Sequence, residues 1–428
     1  LASEPALAAA PDSFSDLIEP FSRRGVDLGL DRLQVALAEL GHPERRFAAV
    51  QVAGTNGKGS ICTLVHQALL ASGIRAGLYT SPHLVSWTER IRLGDAPIAA
   101  PALRRHLETA SAIAQNHQLT PFELITAAAF LAFAEANCEL VVLEVGLGGR
   151  LDATTCHPQR PVIGFASVGL DHAEFLGPDP ATIATEKAGV LQPGAVAISA
   201  PQSSEVAAVF EARAEAAGAE LRWVAPLDLE QWPLGLPGGV QAHNGAVALG
   251  MLQALAERGW PVSDAAIRQG FATAHWPGRL QRLSWRGQPL LVDGAHNLPA
   301  AIALRAELDG HPERDGLPPG PRRWVLGILA NKQGPEIVAA LLTPDDHGRP
   351  DRAWIVPVPG HASWSHAALR DALAATNPTL AKQLQPAPDL EVALGQAAAD
   401  GSAADTRPVM VAGSLYLIGH LLSQPLLS

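Results

Sequence analysis

Cysteine is scarce in this 428-residue chain, with Cys62, Cys138 and Cys156 as its only three. They are odd in number and form no C-x-x-C pair, which describes neither a disulfide framework nor a structural zinc site and fits a reducing cytoplasm. No block of lysines or arginines occurs, and the formal charge is −11. Nucleic acid and anionic membrane surfaces both demand basic patches, so neither is expected as the main partner. Long apolar runs are missing as well. The most apolar helical stretches, Ile125 to Ala134 and Val247 to Ala256, stop well short of the ~20 residues that span a bilayer. Leu1 to Pro11 is rich in alanine, with no basic residue before Arg23 and Arg24. It reads as a loose tail rather than a signal peptide.

What is present is enough apolar material, 47% of residues, for two cores, and the length exceeds what one core usually serves. Short β-rich runs alternate with alanine- and leucine-rich helical windows, the pattern of parallel strands joined by crossover helices. Phe47 to Val52, Leu140 to Val145, Val162 to Val168 and Ala195 to Ser199 read as strands, and Ser60 to Ser72 as a helix. A Pro/Gly break at Trp276-Pro277-Gly278-Arg279 divides the chain into 1–278 and 279–428. The second part restarts the alternation, with strands expected at Leu290 to Val292, Trp324 to Ile328, Ala353 to Val358 and Val409 to Ala412. Its Pro- and Gly-dense stretch, Gly310 to Pro321, is expected to be a surface loop.

The strongest local signal is Gly54-Thr55-Asn56-Gly57-Lys58-Gly59-Ser60, set between an expected strand and an expected helix. Glycines let backbone N–H groups converge on phosphate oxygens, and the helix N-terminus adds positive potential. A lysine reaches the β- and γ-phosphates, and a hydroxyl can ligate Mg²⁺. The spacing departs from G-x-x-x-x-G-K-[ST], because Gly59 stands between Lys58 and Ser60.

Together with this loop, further runs carry a resemblance. They are Ser81-Pro82-His83-Leu84 with Thr88-Glu89-Arg90, Leu143 to Thr154, Gly169-Leu170-Asp171-His172, and Glu186-Lys187-Ala188-Gly189. Pro277-Gly278-Arg279, Asp293-Gly294-Ala295-His296-Asn297 and Gly413-Ser414-Leu415-Tyr416 continue the series. From about Asp27 to Gly419 the chain resembles folylpolyglutamate synthase and dihydrofolate synthase of the Mur ligase superfamily. The resemblance implies a P-loop NTPase-like parallel-sheet N-terminal domain and a smaller Rossmann-like α/β C-terminal domain. It implies a monomer that uses ATP and Mg²⁺, two ions, to join glutamate to dihydropteroate and then to tetrahydrofolate, forming ADP and phosphate. An amide from a carboxylate needs a better leaving group than oxide, and an acyl phosphate supplies it. Both steps concentrate charge on phosphoryl oxygens, where cations are the natural catalysts.

The resemblance assigns roles. Thr55, Asn56, Gly57, Lys58, Gly59, Ser60, Asn244, Arg279 and Asp293 would bind ATP, and Ser60, Ser81, Glu144 and His172 would bind metal. Lys58, His172 and a carbamylated Lys187 would be catalytic. Asp27, Leu28, Gly29, Thr120, Pro121, Phe122, Glu123, Leu151, Asp152 and Ala153 would hold the pterin-bearing acid, and His296 and Ser414 the glutamate. Taken residue by residue, plainer readings stand beside these. Glu144 ends an apolar strand, where a carboxylate is costly unless it meets a cation, and Arg150 could be that cation. His172 could be an ordinary histidine, Lys187 a solvated helix-end lysine, Asn244 an N-cap and Asp293 a turn former. Phe122, which could stack on a flat ring, could equally fill the core.

Three runs depart from the family pattern: Thr155-Cys156, Ala330-Asn331-Lys332-Gln333 and Pro359-Gly360-His361-Ala362. They put substrate details in question and leave the phosphate chemistry untouched. A cell-wall Mur ligase would share the loop, but such enzymes usually carry an extra N-terminal domain, for which a loop at Gly54 leaves no room. A regulatory nucleotide-binding module would not need Glu144, His172 and Lys187 beside the loop.

Overall fold

The computed structural model describes residues 13–310, 321–342, 351–401, 407–425 and 427. The expectations for Leu1 to Pro11 and for the loop between Gly310 and Pro321 lie outside these residues. Two α/β domains are present, each built on its own sheet.

The first sheet has eight strands: β1 (Ala48–Ala53), β2 (Ala76–Tyr79), β3 (Ile91–Leu93), β4 (Ala96–Pro97), β5 (Leu140–Glu144), β6 (Val162–Phe165), β7 (Val196–Ser199) and β8 (Glu220–Trp223), in the order β4-β3-β2-β5-β1-β6-β7-β8. The strands from β2 to β8 run parallel. Helices cover both faces, so alternate residues of one strand feed two different cores. Val141 and Leu143 pack with Phe130 and Phe133 of the Pro121–Glu135 helix. Leu140 and Val142 pack with Ile61 and Leu64 of the Lys58–Ala71 helix and Val247 and Met251 of the Gln241–Ala256 helix. Strand β2, Ala-Gly-Leu-Tyr, has little β-propensity and escapes sequence reading. It is a strand because Gly77 lets the backbone close on Phe133, whose ring a Cβ would meet at 2.6 Å.

The second sheet has six strands: β9 (Gln281–Trp285), β10 (Gln288–Val292), β11 (Arg323–Leu326), β12 (Arg352–Ile355), β13 (Leu384–Pro386) and β14 (Val409–Ala412), in the order β13-β12-β11-β14-β10-β9. The two α/β domains and the parallel body of the first sheet are as expected, and each sheet adds an antiparallel edge. In the first β3 and β4 pair antiparallel at the edge, and in the second β9 pairs antiparallel with β10. The β9–β10 turn, Arg286-Gly287, has φ of 50° and 82°, the positive pair that a two-residue hairpin requires. Among the described residues no helix is long and apolar enough to cross a membrane.

Candidate active site

Both sheets present their parallel strands' carboxyl ends to the junction between the domains, where α/β folds bind ligands. Strand β1 runs out at Ala53 into the glycine loop, and the Lys58–Ala71 helix starts directly behind it. The loop is pinned from below, since Thr55 N–H donates to Ser167 O at 2.7 Å and the Thr55 hydroxyl to Gly169 O at 3.1 Å. Its glycines are sterically required. A Cβ on Gly54 would lie 2.6 Å from Ala166 Cβ, and one on Gly57, where φ is 98°, 2.4 Å from Asn244 Oδ1. Lys58 folds back to donate to Gly54 O at 3.2 Å and Thr55 O at 3.1 Å.

Two cavities meet at this loop, and Asn56, Gly57 and Arg279 line both. The first, about 410 Å³, holds Ser60, Asn244 and Asp293 in its wall, with Leu304 and Glu307 from the Leu298–Gly310 helix. Asn244 is not an N-cap. That position is Val240, and the Asn244 amide donates to Gln241 Oε1 at 2.9 Å. Asp293 does act as a turn former, accepting from Leu280 N at 3.0 Å and Ala295 N at 2.9 Å. Burial raises its pKa, with Arg279 opposing.

The second cavity, about 520 Å³, collects Thr55, Lys58, Gly59, Ser81, Glu144, His172, Lys187, His296 and Ser414. Glu144, 5% exposed, closes β5 and accepts from Ser81 N at 3.2 Å. Burial raises its pKa, and Lys58 is the strongest influence against that. Arg150 does not pair with it. That guanidinium reaches Glu186 at 3.0 Å, so the salt-bridge alternative for Glu144 falls. Lys187 is buried rather than solvated and donates to Gly54 O at 2.8 Å. Desolvation first, and then the charge of Lys58, lower its pKa to about 7. His172 stands in the left-handed region at φ 51°, ahead of the short Ala173–Leu176 helix. Burial lowers its pKa, which leaves the imidazole free to act as a neutral ligand.

No group of three or more His, Cys, Asp or Glu side chains able to hold a metal exists among the described residues. The buried Glu144 carboxylate, the His172 imidazole and the Ser81 hydroxyl line the second cavity, donors that suit a hard divalent cation, whereas Ser60 lines the first.

At the far end of the second cavity lie Asp27, Leu28, Gly29, Thr120, Phe122, Glu123, Leu151, Asp152 and Ala153, whereas Pro121 does not line it. Thr120 and Glu123 form the capping box of the Pro121–Glu135 helix, and Pro121 occupies its first turn. Phe122 is half-buried against the core, and a Cβ on Gly146 would meet its ring at 2.5 Å. Asp27 pairs with Arg32 at 2.9 Å, and Arg32 reaches Glu123 at 3.3 Å. Asp152 is heavily committed. Its Oδ2 accepts from Gly146 N and Leu147 N at 2.9 and 3.0 Å, and its Oδ1 from Thr154 N and Oγ1 at 3.0 and 2.5 Å. It shapes the 146–154 loop.

His296 Nδ1 lies 2.7 Å from Gly294 O, and Ser414 caps the Leu415–Leu422 helix through Tyr416 N at 3.1 Å. Sequence reasoning missed the contacts that join the domains here. Asp171 accepts from Lys332 Nζ and from Asn297 Nδ2 at 2.8 Å, and Asn297 exchanges amide hydrogen bonds with Asn56 at 3.1 Å. The runs around 171 and 297 carried the signal, but Lys332 stood in a departing run. The other departures also have contacts. The Thr155 hydroxyl donates to Gly149 O at 2.7 Å, Cys156 Sγ lies 3.7 Å from Leu30 O, and His361 stacks on Tyr416 with centroids 3.8 Å apart.

Residues 279–424 match the family described as dihydrofolate synthetase, C-terminal domain. Dihydrofolate synthetase of Saccharomyces cerevisiae is 33% identical over 427 residues, covering 93% of this chain and 97% of that protein. The chain belongs to the dihydrofolate synthase/folylpolyglutamate synthase family of ATP-dependent ligases. The dihydrofolate synthase/folylpolyglutamate synthase of Escherichia coli is likewise 33% identical, over 97% of this chain and 96% of its own length. Folylpolyglutamate synthase of Mycobacterium tuberculosis, complexed with ADP and AMPPCP, superposes with a TM-score of 0.84 at 29% identity, covering 96% of this chain and 99% of that one. The bifunctional enzyme of Yersinia pestis, complexed with AMPPNP and a Mn ion, gives 0.81 at 30% identity over 97% and 99%. Nucleotide and divalent-metal use are thus properties of this family.

Proposed function

We propose that this chain phosphorylates the carboxylate of dihydropteroate with ATP and joins L-glutamate to it, giving dihydrofolate, and that it extends tetrahydrofolate in the same way. The observation that carries this is the meeting of two cavities at one glycine loop, with Glu144, Lys58 and Lys187 at the junction. The smaller cavity takes the nucleotide and the larger one the acid and the amino acid.

A carboxylate oxygen of the acid forms a bond to the γ-phosphorus as the bond to the ADP oxygen breaks. Attack by the glutamate amine on the acyl carbon then expels phosphate, and a proton leaves the nitrogen. Asn56, Gly57 and Ser60 hold the phosphates, while Arg279 faces both cavities from the second domain. Lys58 keeps the loop carbonyls turned away from the phosphates. Phe122 and the 146–154 loop position the acid, and His296 and Ser414 the glutamate. Mg²⁺, two ions held from Glu144, His172, Ser60 and Ser81, would neutralise charge developing on the phosphoryl oxygens. Carbamylation of Lys187 is part of the proposal. CO₂ adds only to a neutral amine, and an amine with a pKa near 7 is neutral in good part at physiological pH. The carbamate nitrogen keeps one N–H for Gly54 O. The unit is taken as a cytoplasmic monomer whose domains divide at 278/279.

Phosphate release measured side by side with dihydropteroate, tetrahydrofolate and a UDP-muramoyl acid tests the reading. Release with either pterin acid and glutamate is expected, and release with the muramoyl acid alone would overturn it. Lys58→Ala and Glu144→Ala should both abolish turnover. Mass spectrometry under bicarbonate should show the carbamate on Lys187, and a plain amine in active enzyme would remove that part.

A further inference from the structure

One residue of β1 interrupts the apolar run of that strand. Gln51 is fully buried at the centre of the first sheet, in register with Leu143 of β5 and Ile163 of β6. Its side chain shares a face with Ala49 and Ala53, which belong to two separate apolar clusters, so it lies at the seam between them. A buried amide is costly unless its polar atoms find partners. Gln51 Oε1 accepts from Arg160 Nη1, and Gln51 Nε2 donates to Thr154 Oγ1 at 2.8 Å and Thr155 Oγ1 at 2.9 Å. Arg160, 6% exposed, pairs with no carboxylate among the described residues, and its Nε is buried without a partner. Gln51 is the group on which this cation acts.

The direction of every bond in this chain of contacts is set by its ends. Burial lowers the pKa of Arg160 only to about 10, so it stays a cation at neutral pH and can only donate. Gln51 therefore turns its carbonyl to Arg160 and its amide N–H groups to the threonines. Each hydroxyl, accepting from Gln51, spends its own hydrogen further on. Thr154 donates to Asp152 Oδ1 at 2.5 Å, and Thr155 to Gly149 O at 2.7 Å. Asp152 in turn gathers the N–H groups of Gly146 and Leu147, and all three of these residues line the larger cavity. Burial raises the pKa of Asp152, and the Thr154 hydroxyl is the strongest influence against that. The approach to Arg160 is anchored as well, since Gln159 N donates to His157 Nδ1 at 3.2 Å and His157 Nε2 lies 3.1 Å from Phe47 O.

We propose that Gln51 and Arg160 are positioning residues for the acceptor acid, setting through Thr154 and Thr155 the shape of the 146–154 loop that receives it. This rests on the reading of the larger cavity as the acceptor site. Neither residue lines that cavity, so the centre of the sheet controls the fit of the acid from behind the loop. Thr155, which stands in a run that departs from the family pattern, is one of the two branches.

Reversing the bonds without changing side-chain size tests this. Gln51→Glu keeps an acceptor for Arg160 but offers the threonines no N–H, so their hydroxyls turn to the new carboxylate and away from Asp152 and Gly149 O. Melting temperature, kcat and KM for each substrate are measured with ATP, glutamate and the pterin acid that wild type turns over. Gln51→Glu should raise KM for the acid about tenfold, the lower end for a hydrogen bond to a charged group, with KM for ATP and glutamate unchanged. Thr154→Val should do the same, and Thr154→Ser, which keeps the hydroxyl, should match wild type. An unchanged KM for the acid in folded Gln51→Glu overturns the proposal. So does a rise in all three KM values together, the mark of a merely structural role. If Gln51→Glu does not fold, the two Thr154 variants decide, and equal KM values for the acid in them overturn the proposal. Wild type that turns over a pterin acid while no variant shows the selective rise fails this assignment only. Wild type that turns over neither pterin acid fails the functional reading.

Discussion

Lys187 and Lys58 donate to the same carbonyl oxygen, that of Gly54, at 2.8 and 3.2 Å. Burial first, and then repulsion from the Lys58 ammonium, lower the pKa of Lys187 to about 7.

That pairing sets a pH dependence of stability. An unfolded lysine titrates near 10.4, so between about pH 7 and pH 10 the unfolded chain binds the extra proton and stability rises with pH. The slope is at most about 1.4 kcal/mol per pH unit. In CO₂-free buffer, urea unfolding should show Lys187→Met more stable than wild type at pH 6, with the gap shrinking by pH 9. A gap independent of pH would contradict the assigned cause.

Glu144→Gln should separate stability from activity. Burial raises the folded pKa of Glu144 above its unfolded value, so above the unfolded value the carboxylate opposes folding. The variant should melt higher than metal-free wild type at pH 7.5, and the difference should vanish as pH falls below the unfolded value. Phosphate release should drop at least about a hundredfold, the scale seen when a group that neutralises transition-state charge is removed. Equal melting temperatures at pH 7.5 would count against the charge argument.

Gly57→Ala should weaken nucleotide binding selectively. The backbone there sits at φ 98°, and the new Cβ would press on Asn244, which lines the nucleotide cavity. Left-handed strain lowers stability by roughly 1–2 kcal/mol, and the push on Asn244 deforms the cavity wall, so ADP affinity by calorimetry should fall about tenfold or more. Gly94→Ala carries similar strain at φ 63° with nothing within 4 Å, and it should leave ADP affinity unchanged.

Domain contact should depend on Asp171 and Lys332, which pair at 10% and 9% exposure from opposite domains. Lys332→Met leaves Asp171 without its main counter-charge, and breaking a buried pair costs about 3–5 kcal/mol. Adding Asp171→Asn should restore much of the loss in urea midpoint without restoring turnover. X-ray scattering should show a larger radius for Lys332→Met than for wild type, and identical profiles would argue against a latch.

Whatever is contiguous in the chain could be read before any fold was known. The glycine loop, its strand and its helix are one local unit, and their chemistry follows from spacing. Glu144 announced itself as a carboxylate ending the apolar strand Leu140 to Val145. Strand β2 and the antiparallel edges β3–β4 and β9 were not legible, because they owe their state to neighbours rather than to propensity.

By itself, then, the sequence determined the two-domain alternation, the phosphate loop and the residue types available to a ligase. Tertiary structure alone decided how those residues are charged and what they meet. Burial, not identity, lowers Lys187 to about pH 7, and folding sends Arg150 to Glu186 instead of Glu144. The same folding links Arg160 to Asp152 through Gln51 and Thr154, and it joins Asp171 to Lys332 across 161 residues of chain. Desolvation and long-range pairing depend on distances that no local pattern encodes, so these properties exist only once the sheets have closed on each other.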